Sequence, residues 1–202
     1  MVKIISNRIL KYFKKSRDKW AKKYDFGHLL ILGGSYQYTG AVTLAGLAAL
    51  RSGVDLVTIL APKRAANIVA CMSPNLIAYP LNMNDLNIKA LDKFEEFYER
   101  CTGLLIGCGT ERKNETLRLF KRICKEIKKP CLLDAAATYI ARYLSLNKNF
   151  VLTMHSYEFY LASGVRLTNN LRERMKNAIE FANEKNVILI LKGHVDVITD
   201  GK

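Results

Sequence analysis

The chain is poor in tryptophan, histidine and proline, with one Trp, three His and four Pro in 202 residues. The histidines, His28, His155 and His194, lie far apart, and none stands at ligand spacing from a cysteine. That argues against zinc, and no metal ligand is assigned. The five cysteines, Cys71, Cys101, Cys108, Cys124 and Cys131, form no CxxC pair and are odd in number. They read as reduced core thiols rather than a disulfide framework. No apolar run approaches the roughly 18 residues that a membrane helix needs. The N-terminus turns basic at once and has no signal-peptide core, so a soluble cytoplasmic protein without membrane contact is expected.

Acidic residues are also scarce. Eighteen Asp and Glu face 32 Lys and Arg, a net charge of +14. Polyanions are attracted to such a chain, so nucleic acid is one reading. The densest cluster, Lys11 to Lys23, has seven basic residues and one acid. No nucleic-acid motif surrounds it, and a solvated helix face is favoured. A phosphate-bearing small ligand is another use for the charge.

What the chain does have is a hydrophobic half of its residues, enough for one buried core. Short β-rich runs alternate with longer amphipathic stretches, the pattern of βαβ units around a mostly parallel sheet. Strands are predicted at 28–32, 54–60, 103–106, 131–133, 150–153 and 187–191, with a short last one at 195–199. Helices are predicted at 10–22, 40–52, 88–98, 114–128 and 171–185. The helix over 40–52 is apolar nearly all round and is expected to be buried. Leu117, Phe120, Ile123, Cys124 and Ile127 share a face of the fourth helix, and Met175, Ala178, Ile179 and Ala182 a face of the fifth. Asp200-Gly201 reads as a hairpin turn. Lys202 follows it with no strand to complete the hairpin.

Five segments stand where a strand gives way to a loop, the edge at which open α/β sheets bind ligands. Gly33 to Ala41 joins a strand to a helix and contains three glycines, Gly33, Gly34 and Gly40. It is either an anion-receiving loop or an ordinary glycine turn, and it is neither a Walker loop nor a GxGxxG fingerprint. Ile106-Gly107-Cys108-Gly109-Thr110-Glu111 has the same setting. Asp134, in Leu133-Asp134-Ala135-Ala136-Ala137, could hold a hydroxyl, a metal-bound water or a backbone group, but a helix cap is favoured. His155 and Glu158 lie just past a strand, where they could move a proton, or Ser156 could cap a helix there. Lys192-Gly193 suits a phosphate contact, or a lysine at the surface of a hairpin.

The order of these segments resembles the ADP/ATP-dependent NAD(P)H-hydrate dehydratase family, whose domain often forms the C-terminal half of a bifunctional repair enzyme. Asp25-Phe26-Gly27-His28 through Tyr38-Thr39-Gly40-Ala41 and Leu50-Arg51-Ser52-Gly53 is similar to the family's opening, and Ser73-Pro74-Asn75-Leu76 to its SPE segment. The resemblance implies a ribokinase-like three-layer α/β/α sandwich with a mostly parallel sheet over residues 25–202, behind a basic helical segment, 1–24. It implies repair of hydrated NADH and NADPH by phosphate transfer from ADP or ATP, with Mg2+, in a homo-oligomer. Ala41, Gly107, Gly109 and His155 would contact the hydrated dinucleotide. Lys192, Gly193, His194, Val195 and Asp196 would contact the nucleotide.

The sequence also departs from the family pattern. Cys108 stands where the GPG turn has proline. Ser156-Tyr157 stands where HPGE has Pro-Gly, and Ala136 replaces the second acid of the DADA run. Asp196 replaces a threonine and would disfavour phosphate if it pointed inward. The family's GTGD motif is not found in the 202 residues, and its catalytic aspartate is expected beyond Lys202. A domain incomplete at its C-terminus is therefore expected, with one sheet face uncovered, and no catalytic residue is assigned within the chain. A degenerate nucleotide-binding relative and another ribokinase-like kinase are the alternatives.

Overall fold

The structure, a computed structural model, describes residues 3–12 and 16–202. Eight strands form one sheet in the order β3-β2-β1-β4-β5-β6-β7-β8. They are β1 (His28–Leu32), β2 (Leu56–Pro62), β3 (Ile77–Leu81), β4 (Gly103–Ile106), β5 (Cys131–Asp134), β6 (Phe150–Met154), β7 (Ile188–Leu191) and β8 (Val197–Thr199). Every neighbouring pair is parallel except β7 and β8. The chain moves outward from β1 to β3, then returns to pair β4 with the other side of β1. The order therefore reverses between β1 and β4, which opens a crevice at the carboxyl ends of those strands.

The helices are α1 (Gly40–Arg51), α2 (Lys63–Met72), α3 (Leu91–Tyr98), α4 (Asn114–Cys124), α5 (Ser156–Ser163) and α6 (Leu171–Lys185). One face of the sheet is covered along its length by α3 to α6 and the 3-10 stretch Ala135–Arg142. Leu30, Ile106, Leu133, Leu152 and Leu189 from the strands meet Phe94, Phe120, Ile140, Phe159 and Phe181 there. On the other face, α1 and α2 cover only β1 to β3, where Ile31, Val57 and Ile59 meet Val42, Ala66 and Val69.

Beyond β1 the second face is open. Leu105, Leu132, Val151 and Ile188 share one register row, and Asp134, Thr153, Ile190 and Ile198 share the next. Burial alternates along β4 to β7: residues facing α3 to α6 are buried, and these are half-buried. Ile198 is 52% exposed. Parallel sheets ordinarily have helices on both faces, so this surface is a departure from the rule. The third layer of the expected sandwich is present over β1 to β3 alone.

Several predicted elements differ in the structure. The helix expected over 10–22 is not formed by its described residues. A 3-10 turn, Asn7–Tyr12, lies at its start, and 16–22 has no helix. Positions 13–15 fall outside the described residues. Arg17 docks the segment on the domain by donating to Asp55 at 2.8 Å and stacking on the Phe26 ring. Helix α1 is not buried all round, since Leu44 is 71% exposed. Helix α4 stops at Cys124, four residues before its predicted end. The stripe of α6 is rotated: Arg174, Ala178, Phe181 and Ala182 are buried, while Met175 and Ile179 are only half-buried. After β8 the chain bends at Asp200, and Gly201 has φ +90°. The Gly201 N–H donates to Thr199 Oγ1 at 3.0 Å and the Lys202 N–H to Asp200 Oδ1 at 3.3 Å, so side chains hold this bend.

Candidate functional site

The loops that follow β1, β4, β5, β6 and β7 lie side by side along one edge, because those strands are consecutive in the sheet. All five segments singled out from the sequence are on that edge.

At the β1–β4 crevice the two glycine loops are locked together. The Gly34 N–H donates to the Cys108 carbonyl at 2.8 Å, and the Gly107 N–H to the Leu32 carbonyl at 2.9 Å. Close approach explains the glycines. A Cβ on Gly33 would fall 2.5 Å from the Cys108 carbonyl oxygen, and one on Gly109 would fall 3.0 Å from the Cβ of Ala41. Ala41, in the first turn of α1, therefore sits directly against Gly109. Gly107 has φ +105°, and a Cβ there would fall 2.2 Å from the Asp134 carbonyl oxygen. The glycine at 107 is thus required by packing on β5. Cys108 is buried here, and its thiol is pushed up to about 12, first by burial and then by the charge of Asp134. It is a structural thiol and not a nucleophile. Four of the five cysteines are buried, and Cys71 is exposed.

A second cluster joins the ends of β5, β6 and β7. Asp134 Oδ1 accepts from Thr153 Oγ1 at 2.7 Å and from Lys192 Nζ at 3.2 Å. Lys192 Nζ also lies 3.8 Å from Glu158 Oε2. The cap expected of Asp134 is not made: its side chain bonds no N–H of the 3-10 stretch that follows. The reason is that the carboxylate shares a face with Thr153 across the strand pair, and the chain turns away at Ala135, which has φ +49°.

His155, not Ser156, caps α5. Its Nδ1 accepts from the N–H groups of Tyr157 at 3.1 Å and Glu158 at 3.3 Å, while Glu158 Oε2 accepts from the His155 N–H at 2.8 Å. This reciprocal pair is a capping box with histidine in the usual Ser/Thr place. Because Nδ1 is an acceptor, the proton of the neutral ring is on Nε2, 3.5 Å from Glu158 Oε1. The ring itself is exposed and stacks on Tyr157.

Between β7 and β8, residues 192–196 form a tight turn. The Lys192 N–H donates to the Met154 carbonyl at 2.7 Å, tying the turn to β6. Asp196 Oδ1 accepts from the Gly193 N–H at 2.8 Å, so that acid is folded back on its own turn. His194 and Val195 are exposed at the tip.

One residue of this cluster was missed from the sequence. Arg174 of α6 is buried, and donates from Nη1 to Ser156 Oγ at 2.8 Å and from Nη2 to the Lys192 carbonyl at 2.9 Å. The signal was available: Arg174 stands four and eight residues before Ala178 and Ala182, on the buried stripe.

A sheet whose order reverses beside two interlocked glycine loops defines an open α/β protein, of the class that binds ligands in the crevice at the carboxyl ends of its strands. Comparison with known proteins narrows the class. Residues 29–202 match the Carb_kinase family, described as NAD(P)H-hydrate dehydratase. The bifunctional NAD(P)H-hydrate repair enzyme Nnr of Pyrobaculum aerophilum is 35% identical over 192 residues, covering 94% of this chain and 38% of that protein. The ADP-dependent (S)-NAD(P)H-hydrate dehydratase of Nitrosopumilus maritimus is 36% identical, covering 98% of this chain and 70% of that protein. The ADP/ATP-dependent NAD(P)H-hydrate dehydratase of Bacillus subtilis, co-crystallized with ATP/Mg2+, superposes with a TM-score of 0.80 at 23% identity, covering 97% of this chain and 68% of that one. The chain belongs to the NAD(P)H-hydrate dehydratase family, and its fold is the ribokinase-like one. It spans less than two fifths of the bifunctional relatives it matches first.

Proposed function

We propose that this chain binds hydrated NADH or NADPH together with ADP or ATP, for dehydration back to the reduced dinucleotide. The carrying observation is the tie between Asp134, Glu158 and Lys192, which sets a cation on the edge where the family's ligand segments converge. In the reaction, a phosphoryl group passes from the nucleotide to the hydroxyl of the hydrated ring. Phosphate then leaves with a neighbouring proton, and the ring double bond returns.

On this reading Ala41, Gly107, Gly109 and His155 border the dinucleotide, and residues 192–196 receive the nucleotide. Lys192 has two carboxylates to hold it in place and a flexible stem to reach phosphate. Asp196 bonds Gly193 and so keeps its charge on the turn rather than toward a ligand. Magnesium enters with the nucleotide's phosphates: among the described residues no group of three or more His, Cys, Asp or Glu side chains could hold it unaided. Asp134 accepts from Thr153 and Lys192, and His155 and Glu158 form the cap of α5, so the reading assigns these three residues binding roles. Cytoplasmic location and a homo-oligomer belong to the same reading. Among the described residues no helix is long and apolar enough to cross a membrane.

Calorimetric titration of the chain with hydrated NADH, NADH, ATP and ADP is the test. Saturable binding of a nucleotide, and of hydrated NADH in preference to NADH, is expected. Absence of binding to all four would overturn the reading.

A further inference from the structure

Arg174 is 7% exposed as a residue, and no carboxylate of the described residues lies within 4.0 Å of its guanidinium. Both of its hydrogen-bond acceptors, Ser156 Oγ and the Lys192 carbonyl, are neutral. A buried cation without a counter-charge is costly, and proteins pair such groups or place them where a ligand supplies the anion. Arg174 is also a support. Its two bonds join the first turn of α5, which His155 caps, to the start of the Lys192–Asp196 turn. Gly193 lies so close that a Cβ there would fall 2.8 Å from Nη2. The start of the turn is therefore packed on the guanidinium, while the Lys192 ammonium reaches to Asp134.

We propose that Arg174 is a positioning residue with a second effect. It holds the Lys192–Asp196 turn in the form that accepts a nucleotide, and its unbalanced charge selects for ligands that carry a polyphosphate. The inference rests on the nucleotide site proposed above. It adds what in this chain distinguishes a nucleotide from the corresponding nucleoside. A planar fork is needed to meet a hydroxyl and a carbonyl on different elements, and lysine supplies the charge without the fork.

The test compares ATP, ADP and adenosine binding by calorimetry in the wild type, Arg174→Gln and Arg174→Lys, at low and moderate salt. Arg174→Gln is expected to weaken ATP about tenfold or more, one or more decades in Kd, and adenosine far less. The salt dependence of ATP binding should flatten, since one positive charge beside the proposed nucleotide turn is gone. Arg174→Lys should keep part of the preference for ATP over adenosine. If Arg174→Gln does not fold, Gly193→Ala takes its place: it retains the charge but displaces the guanidinium, and should lower ATP affinity more than adenosine affinity. Equal losses for ATP and adenosine, or no loss, in a wild type that binds ATP normally would leave Arg174 a structural residue and overturn the inference. A wild type that binds neither ligand would instead overturn the nucleotide site itself.

Discussion

His28 is buried, with Nε2 2.8 Å from Thr58 Oγ1 and Nδ1 3.3 Å from the Arg100 carbonyl. The neutral ring satisfies both contacts if Nδ1 donates and Nε2 accepts. Burial, partly opposed by the Arg100 carbonyl, lowers its pKa below the ordinary 6.5. The unfolded chain therefore binds a proton at a higher pH than the folded one. The stability from a neutral His28 is fully present above 6.5, and is lost as pH falls from there toward the depressed folded value. Thermal melts of the wild type should drop across that window, and those of His28→Gln should drop less. Two backbone positions at the same scale have opposite expected signs. Gly107→Ala must place a Cβ against the Asp134 carbonyl at φ +105°, and should cost about 3 kcal/mol or more in urea unfolding, as overpacking and backbone strain combine. Ala135→Gly relieves a non-glycine residue at φ +49°, and should raise stability by about 1 kcal/mol.

At the scale of elements, α5 and α6 offer a contrast between a cap that belongs to the site and one that does not. Asn170 caps α6 by accepting from the N–H groups of Arg172 and Glu173. Asn170→Ala should cost about 1 kcal/mol of stability and leave ligand binding unchanged. His155→Ala should cost a similar about 1 kcal/mol through α5 but also weaken hydrated NADH, measured by paired melts and titrations. The elements also show what could be read beforehand. The ends of β1 and β4 and both ends of α6 fall where expected, because alternation, glycine breaks and caps all agree there. Strand β3 was missed because Pro80 sits inside it, and a proline is tolerated there only because β3 is an edge strand. A helix after β6 was one of the two readings there, but with Ser156 as its cap; the cap is His155, a residue outside the usual set of signals. Of the site, the glycine loops, Asp134, His155, Glu158 and Lys192 were legible as strand-end residues. Their partnerships were not: Asp134 and Lys192 are 58 residues apart, and only the sheet order brings them together.

Over the whole molecule, the uneven third layer sets the surface properties. Leu105, Leu132, Val151, Ile188, Ile190 and Ile198 form an apolar surface beside Asp134 and Thr153. The folded 202-residue chain should bind an environment-sensitive hydrophobic dye, and Val151→Lys with Ile198→Lys should lower that fluorescence without lowering the melting temperature by more than a few degrees. An unchanged signal would place the dye elsewhere.

The reversal of strand order has a consequence for synthesis on the ribosome. Strand β1 lies inside the sheet, yet its partner β4 begins only at Gly103, some seventy residues after β1 ends. Until those residues emerge, a nascent β3-β2-β1 sheet presents β1 as a free edge, the apolar run Leu29 to Leu32, to anything nearby in the cell. From β4 onward each strand pairs with the one made just before it, and that half can add strands in the order they leave the tunnel. The longest exposure of β1 to misassembly falls between its own emergence and that of β4, and a pause in the codons between β3 and β4 would lengthen it.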